Sequence, residues 1–286
     1  MSDFFSGPLP YFTVGPWELG GFKIHIFGVM VAIGVLTAHT IALRRVERFG
    51  YDPDQARVLY LVGLFSGFVF SHIFNVLLYE PATVLENPAE LFRINGSLSS
   101  YGGVLGALIG IFLYSRFKPD VETWAMAAQT VFAIPFGWFF GRVGCALVHD
   151  HPGAISDFFL AVNFGTNPPN GIRHDLGLYE AIWWLVIAIL FFLIDKYKDE
   201  EVREPHFGFY AGLLGILYTP VRFSLDFLRV PAKIGGDSRY FGLTPGQYFS
   251  ILGFCLGIFF MRRWMTSRQK AQDTAKEPDV GTDRDA

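Results

Sequence analysis

Seven apolar stretches, each about 20 residues long, run through the chain of 286 residues. They cover roughly residues 22–43, 57–79, 98–115, 121–148, 177–197, 207–228 and 244–264. A helix of about this length crosses a bilayer, and only helices or closed barrels satisfy their backbone groups there. We therefore predict an all-α polytopic membrane protein with a seven-helix transmembrane domain over residues 22–265.

The two ends of the chain are different in composition. Residues 1–21 are rich in Pro, Gly and aromatic residues, which predicts a short interfacial segment. Residues 266–286 carry four basic and five acidic residues and predict a disordered cytoplasmic tail. The first apolar stretch has no basic n-region or cleavage site before it, so we interpret it as an uncleaved helix.

Composition also limits the chemistry. The net charge of −3 is small and dispersed, which gives no reason to expect a nucleic-acid partner. The chain has two cysteines, Cys145 and Cys255, and both lie inside apolar stretches. We therefore expect neither a disulfide framework nor a cysteine-based metal site.

The distribution of basic residues predicts the orientation in the membrane. Of the 23 Lys and Arg residues, fifteen lie after the first, third and fifth stretches or in the tail, and six lie on the opposite side. Lys and Arg are retained in the cytoplasm, so the N-terminus is predicted outside and the C-terminus inside. Arg229, Lys233 and Arg239 nevertheless cluster in one outer loop, which indicates an anion handled there.

Arginines inside the apolar stretches need a functional reason. Arg142 lies in GWFFGRVGCALVHDHPG, and a charge at such a depth costs about 2.5 kcal/mol or more. Arg222, Asp226 and Arg229 follow each other at helical spacing and predict one charged helix face. In one interpretation Asp226 only neutralises an arginine and ties helices together. In the other, the excess of guanidinium groups binds a phospholipid headgroup.

A glycine repeat opens the third stretch. Gly102, Gly106 and Gly110 recur every four residues, a pattern typical of closely packed membrane helices. Gly102 and Gly103 would also present backbone amides at a helix N-terminus, where a phosphate binds well. Both roles can coexist.

Titratable residues flank the fourth and fifth stretches. His149, Asp150 and His151 follow the fourth, and His174, Tyr179 and Glu180 precede or begin the fifth. They could supply general acid or base chemistry, although Tyr179 and Glu180 are also a plausible cap and interfacial anchor. The His-Asp-His triplet suggests a metal, but adjacent residues rarely converge on one ion, so we expect none.

Together these motifs resemble the prolipoprotein diacylglyceryl transferase family. Gly141 to Gly153 is similar to its signature G-R-x-G-N-F-x-N-x-E-x-x-G, with Asp150 at the position of Glu. Tyr101-Gly102-Gly103 looks like its H-G-G element, and RHDLGLYE looks like R-H-P-S-Q-L-Y-E. RFSLDFLRVP and FGLTPGQ resemble its R-x-x-x-E-F-x-R and G-Q segments. Cys145, Val148 and Tyr101 depart from the family pattern, because they replace two asparagines and a histidine.

The resemblance implies transfer of a diacylglyceryl group from phosphatidylglycerol to the lipobox cysteine of a prolipoprotein. This is the first step of bacterial lipoprotein maturation, and it releases glycerol 1-phosphate. The expected partners are phosphatidylglycerol, the prolipoprotein signal-peptide segment and membrane lipids, with no metal or organic cofactor. The expected location is the bacterial cytoplasmic (inner) membrane, with the active site towards the outer side.

The resemblance also implies roles for particular residues. The expected catalytic residues are Arg142, Arg222, Arg229, Tyr101 and His174. The expected substrate-binding residues are Arg142, Gly102, Gly103, Asp150, Gly153, Tyr179, Glu180 and Asp226. The proton acceptor stays open among His149, His151, His174, Tyr101 and the arginine field alone.

Two other functions are compatible with a polar cavity in a membrane. A transporter or receptor would use the same arginines to bind an anionic lipid or peptide without chemistry. An intramembrane serine protease is disfavoured because the chain has no G-x-S-x-G motif.

Overall fold

The computed structural model describes residues 8–79, 81–92, 98–198, 207–230 and 239–276. Within them lie seven long helices and one short helix. These are α1 (Ile26–Arg48), α2 (Pro53–Tyr79), the short α3 (Pro81–Glu86), α4 (Ser100–Phe117), α5 (Thr123–Val148), α6 (Leu176–Tyr197), α7 (Phe207–Leu225) and α8 (Pro245–Lys276). Six are long and apolar enough to cross a membrane, and α4 is a shorter apolar helix. The predicted polytopic helical architecture is confirmed, whereas the orientation of the termini stays a prediction.

Glycines bring the helices together in pairs. α1 packs along α5, α2 along α4, and α7 along α8. A Cβ atom on Gly102 would lie 2.5 Å from Phe74 Cβ, and one on Gly137 would lie 2.7 Å from the Gly34 carbonyl oxygen. Gly106 and Gly110 likewise leave no room for a side chain against α2. The packing role predicted for the glycine repeat is therefore confirmed.

An aromatic core joins α5, α6 and α7. Phe132, Trp184, Ile187, Phe191 and Tyr210 are buried together there. By contrast, many large apolar side chains point outwards from the helices, for example Phe65 and Leu36. An exposed apolar belt of this extent is what a lipid-facing surface requires.

The chain also forms short strands that the sequence analysis did not predict. β1 (Leu9–Pro10), β4 (Pro152–Ile155), β5 (Val162–Asn163) and β6 (Ile172–Asp175) build a sheet in the order β1-β5-β6-β4. β1 pairs with β5 in parallel, and the other two pairs are antiparallel. β2 (Trp17–Leu19) and β3 (Phe22–Ile24) form a separate antiparallel pair. We call the end of the helix bundle that carries the four-stranded sheet the sheet end.

Two predicted boundaries differ from the structure. The first helix begins at Ile26, because residues 22–24 pair as β3. The last helix continues to Lys276, so residues 266–276 are helical where the sequence analysis predicted a disordered tail. Arg, Gln, Lys and Ala in this segment are good helix formers, and they extend a helix that the membrane span has already nucleated. Residues 277–286 lie outside the described residues.

Candidate active site

A buried carboxylate joins two of the membrane arginines at the sheet end. Arg142, near the end of α5, places its Nε 3.1 Å from Glu180 Oε2, and Arg222 on α7 places its Nε 3.7 Å from Glu180 Oε1. The Tyr218 hydroxyl donates to Glu180 Oε2 at 2.9 Å. Glu180, predicted to bind substrate, is 1% exposed and contacts these arginines instead of lying at the membrane surface.

A second buried carboxylate joins Arg222 to the third arginine. Asp226 pairs with Arg222 one helical turn away, and Arg229 Nε lies 2.8 Å from Asp226 Oδ1. The Thr244 hydroxyl also donates to this carboxylate. Arg239 donates to the Asp226 main-chain carbonyl at 2.9 Å. The side chains of Arg222, Asp226 and Arg229 therefore meet, but not on one helix face as their spacing predicted, because α7 ends at Leu225, Asp226 begins a 3-10 turn and Arg229 has an extended backbone.

The charged cluster formed by Arg142, Arg222, Arg229, Glu180 and Asp226 is incompletely satisfied. Although Arg142 Nε is near Glu180, its N–H makes no hydrogen bond to any described residue, and Glu180 Oε1 accepts none. Buried polar atoms without partners cost about 1–3 kcal/mol each, and they are rare. Three guanidinium groups also share only two carboxylates. The Arg142 Nε donor and the surplus of one positive charge are what an additional anion would use, whereas Glu180 Oε1 lacks a donor, which an anion does not supply.

The first turn of α8 closes this cluster at one side. A Cβ atom on Gly246 would lie 2.6 Å from the Tyr101 hydroxyl oxygen, 2.8 Å from Asp226 Oδ2 and 3.0 Å from Arg222 Nη2. The Tyr101 ring stacks on Phe249 with centroids 4.4 Å apart. The structure therefore brings Tyr101 to the arginines, while its catalytic role stays a prediction. The bare backbone of Gly246 leaves the space between them open.

Thr244 and Gln247 hold this turn in place, and the sequence analysis missed them. The Thr244 amide donates to Gln247 Oε1 at 3.0 Å, and the Gln247 amide donates to Thr244 Oγ1 at 3.1 Å. This reciprocal pair is a capping box, whose signature is Thr-x-x-Gln before an apolar run. The signal was present in TPGQ, but nothing in the sequence linked it to Asp226.

The start of α4 is arranged differently from the prediction. The Gly102 amide donates to Ser99 Oγ at 3.3 Å, and the Gly103 amide donates to the Ser99 carbonyl at 2.9 Å. Both amides thus have partners within the chain. A phosphate-binding role for Gly102 and Gly103 stays a prediction without support from these contacts.

Both ring nitrogens of His149 have partners, and these partners lie in two different segments of the chain. Its Nδ1 lies 2.5 Å from Asp175 Oδ2, and its Nε2 lies 3.0 Å from the Phe12 carbonyl oxygen. The Tyr11 ring stacks on it with centroids 4.6 Å apart. Asp175 in turn accepts from the Leu178 amide and caps α6. Since both ring nitrogens of His149 have partners, its predicted availability as a base is not supported.

His174, Tyr179 and Gly153 form the edge of the site. His174 Nδ1 lies 2.9 Å from the Tyr179 hydroxyl, and Phe158 packs against both rings. A Cβ atom on Gly153 would lie 2.7 Å from His174 Cβ, and Gly153 forms a β-bridge with Arg229. Burial lowers the pKa of His174, so its ring is neutral at neutral pH. Gly153 thus allows β4 to approach the turn that carries Arg229.

Cys145, Asp150 and His151 come together beside Arg142. One possible ligand atom from each lies within 4.8 Å of the others. Arg142 Nη1 donates to Cys145 Sγ at 3.7 Å. Burial, together with the nearby arginines, lowers the pKa of His151 to about 3, while burial raises the pKa of Asp150. Asp150 therefore lies near Arg142, together with His151, a candidate proton acceptor, and Cys145, to which we assigned no role. Its substrate-binding role stays a prediction.

The family model for prolipoprotein diacylglyceryl transferase matches residues 16–263. This range contains every residue of the candidate site described above except Tyr11 and Phe12, which contact His149. The chain belongs to this family. The phosphatidylglycerol–prolipoprotein diacylglyceryl transferase of Pasteurella multocida is 31% identical over 270 residues, covering 91% of this chain and 94% of the relative. That of Chromohalobacter salexigens is 28% identical over 259 residues, covering 90% and 93%. The resemblance stated from the motifs is confirmed.

Proposed function

We propose that this family member transfers the diacylglyceryl group from phosphatidylglycerol to the lipobox cysteine of prolipoproteins. The observation that carries the proposal is the incompletely satisfied cluster of Arg142, Arg222 and Arg229 around Glu180 and Asp226. A phosphodiester supplies an acceptor for the Arg142 donor and the negative charge that would balance the third guanidinium group. Guanidinium groups bind such oxygens in pairs, which fixes the lipid headgroup.

In the proposed reaction, the acceptor thiolate attacks the glycerol carbon that is bonded to the phosphate oxygen. The new S–C bond forms as the C–O bond breaks, and its electron pair leaves on glycerol 1-phosphate. The proton of the thiol passes to a nearby side chain that acts as the base. Negative charge grows on the phosphate, so preorganised arginines stabilise the transition state more than the bound lipid.

The acceptor thiol must lose its proton, because a free cysteine has a pKa near 8.5. His149 uses both ring nitrogens, which leaves His151, His174 and Tyr101 as the side chains available to accept the proton. Tyr101 is the one of these that lies against the arginine cluster through Gly246. Gly153, Tyr179 and Asp150 would line the approach of the substrates.

The proposed substrates are phosphatidylglycerol from the bilayer and the signal-peptide segment of a prolipoprotein. The site faces the outer side of the bacterial inner membrane in this proposal, since the sheet end contains residues 8–25 and the N-terminus is predicted outside. In a Cys255→Ala background, Ala154→Cys should react with an impermeant thiol reagent in intact cells, whereas Asp120→Cys should not. Labelling of Asp120→Cys alone would reverse the orientation.

The activity is tested by incubating purified protein with labelled phosphatidylglycerol and a lipobox peptide. The thioether product, identified by mass spectrometry, supports the proposal. Phosphatidylglycerol that binds tightly but gives no product would instead identify a transporter or receptor. Arg268→Lys, which changes an arginine near the end of α8, serves as the variant that should keep full activity.

A further inference from the structure

Two buried atoms in the charged cluster make no hydrogen bond to any described residue, and they need opposite partners. Arg142 Nε carries an N–H group that needs an acceptor, whereas Glu180 Oε1 is a carboxylate oxygen that needs a donor. Arg222 Nε lies 3.7 Å from Glu180 Oε1, a distance too long for a hydrogen bond. A phosphodiester can accept from Arg142, but it has no hydrogen to donate to Glu180.

The position of the free carboxylate oxygen is fixed by the contacts of the other one. Glu180 Oε2 accepts from the Tyr218 hydroxyl at 2.9 Å and lies 3.1 Å from Arg142 Nε. The Glu180 side chain is 1% exposed, so bulk water does not reach Oε1. A buried acceptor without a donor is unfavourable, and more so when it is charged. Glu180 Oε1 is therefore a preformed acceptor for a donor on a bound ligand.

We propose that Glu180 Oε1 accepts a hydrogen bond from a hydroxyl of the phosphatidylglycerol headgroup, and that this contact distinguishes phosphatidylglycerol from other phospholipids. The inference rests on the proposed function, in which the phosphodiester binds the arginines. Two carbon atoms separate the first headgroup hydroxyl from the phosphate ester oxygen. This short separation suits the site, because the Arg142 and Glu180 side chains are themselves in contact.

The charges in the cluster favour a neutral donor. Three guanidinium groups and two carboxylates leave one positive charge, which the phosphodiester balances. The ammonium group of phosphatidylethanolamine would restore an unbalanced positive charge beside Arg142 and Arg222, and like charges in contact are unfavourable. A glycerol hydroxyl donates a hydrogen bond without adding charge. The site therefore favours a hydroxyl donor over an amine donor.

The headgroup reaches Glu180 Oε1 when the Arg222 guanidinium group turns towards the phosphate. Arg222 Nε makes no hydrogen bond to Oε1, so none is lost in this movement. The pair between Arg222 and Asp226 involves a different atom, Arg222 Nη1. Gly246 has no side chain beside Arg222 Nη2, where a Cβ atom would lie 3.0 Å away, so the guanidinium group has room to turn.

Phosphatidylethanol tests the hydroxyl contact without changing the reacting atoms. It has the same phosphodiester and the same diacylglyceryl group, but its headgroup ends in a methyl group and has no donor. The C–O bond that breaks lies on the diacylglyceryl side of the phosphate, so the chemical step is the same. In the thioether assay with matched acyl chains, kcat/KM of the unaltered protein should be roughly 10- to 100-fold lower for phosphatidylethanol than for phosphatidylglycerol. Equal values for the two lipids would overturn the proposal.

Glu180→Gln removes the acceptor while keeping the size of the side chain. The amide oxygen can replace Oε2 beside Tyr218, which places an NH2 group at the position of Oε1. The preference for phosphatidylglycerol over phosphatidylethanol should then fall to within about threefold, even if both rates decrease. Tyr218→Phe is the matched control, because it removes the donor to Oε2 and leaves Oε1 unchanged, so it should keep the preference. An unaltered preference in folded Glu180→Gln would contradict the role of Oε1.

Lipid binding without the acceptor peptide separates this inference from the proposed function. Native mass spectrometry of the protein with equal amounts of the two lipids should show phosphatidylglycerol bound in roughly fivefold excess or more, and Glu180→Gln should abolish this excess. The excess without thioether product from any lipid would refute the proposed function but not the headgroup contact. Thioether product with equal binding and equal rates would refute the contact and leave the proposed function intact.

Discussion

The helix bundle buries arginine side chains at both ends, and their surroundings differ. At the end opposite the sheet, Arg45 donates to Gln129 Oε1 at 2.9 Å, pairs with Asp195 and lies 3.7 Å from the centre of the Phe132 ring. At the sheet end, Arg142 Nε faces Glu180 without making a hydrogen bond. Arg45 thus has a hydrogen-bonded amide, a paired carboxylate and a ring against it, whereas Arg142 has a buried Nε that makes no hydrogen bond.

This difference shows how a structural charge is distinguished from a functional one. Desolvation of an ion is costly, so a buried ion pair persists in a purely structural role only when its hydrogen bonds are complete. The group around Arg45 meets that condition and ties α1, α5 and α6 together. The group around Arg142 does not meet it, because Arg142 Nε and Glu180 Oε1 make no hydrogen bond. If the two ends differ in this way, substitutions near Arg45 should lower the stability of the protein, and substitutions near Arg142 should lower its turnover.

The largest effect is expected from Arg142→Lys. Lysine keeps the charge but loses the planar pair of donors, so turnover per folded molecule should fall on the order of 100-fold or more, even at saturating lipid. Arg45→Lys is the matched change at the opposite end, and it should lower folded yield more than turnover. Equal turnover in both variants, measured with the thioether assay, would remove Arg142 from the catalytic site.

A smaller loss is expected from Gly246→Ala. The added methyl group meets the Tyr101 hydroxyl, Asp226 and Arg222 at 2.6–3.0 Å, so it displaces groups by tenths of an ångström or more. Turnover should fall roughly tenfold to a hundredfold, since misplacement of about 1 Å can cost that much. Gly28→Ala is the control, because nothing lies within 4 Å of a Cβ atom there. Unchanged turnover in Gly246→Ala would place the reaction elsewhere.

Asp195→Asn should affect stability and not turnover. Asp195 pairs with both Arg45 and Arg48, the latter at 2.9 Å. Removing its charge should lower the free energy of unfolding by about 2 kcal/mol, the size of a lost charged hydrogen bond. Turnover per folded molecule should stay within roughly twofold because the site is at the other end of the helices. A large fall in turnover would mean that the two ends are coupled.

The smallest effect is expected from Ser99→Ala. Losing the cap on α4 should lower the free energy of unfolding by about 1 kcal/mol and leave turnover unchanged. Thermal denaturation in detergent and the thioether assay measure the two quantities. A fall in turnover per folded molecule would extend the catalytic site to the Gly102 and Gly103 amides.

The sequence predicted the helices well, because each is marked by a long apolar run that no other structure satisfies in lipid. It also grouped Arg222, Asp226 and Arg229, which do form ion pairs, although they do so across a 3-10 turn after the end of α7 and not on one helix face. The four-stranded sheet was not predictable, since its strands have two to four residues and show no alternating pattern. β1 also pairs with residues more than 150 positions away.

Within the site, the sequence did not predict which side chains contact each other. Glu180 looked like an interfacial cap because it lies one turn into α6, yet α5 and α7 bring arginines to it. Cys145 appeared to be an ordinary apolar helix residue. Its meeting with Asp150 and His151 depends on one left-handed residue, His149, whose conformation is stabilised by partners on two other segments.

The contact between Thr244 and Asp226 bears on how the protein is made. Asp226 is synthesised with α7, but its hydroxyl donor and its capping turn belong to α8, the last helix of the chain. Gly246 and Phe249, which meet Tyr101, arrive with the same helix. A ribosome therefore releases the parts of this site in an order that leaves it unfinished until the final segment enters the membrane. A chain interrupted before residue 244 would contain all three arginines but would lack Thr244 and Gly246, which contact Asp226 and Arg222.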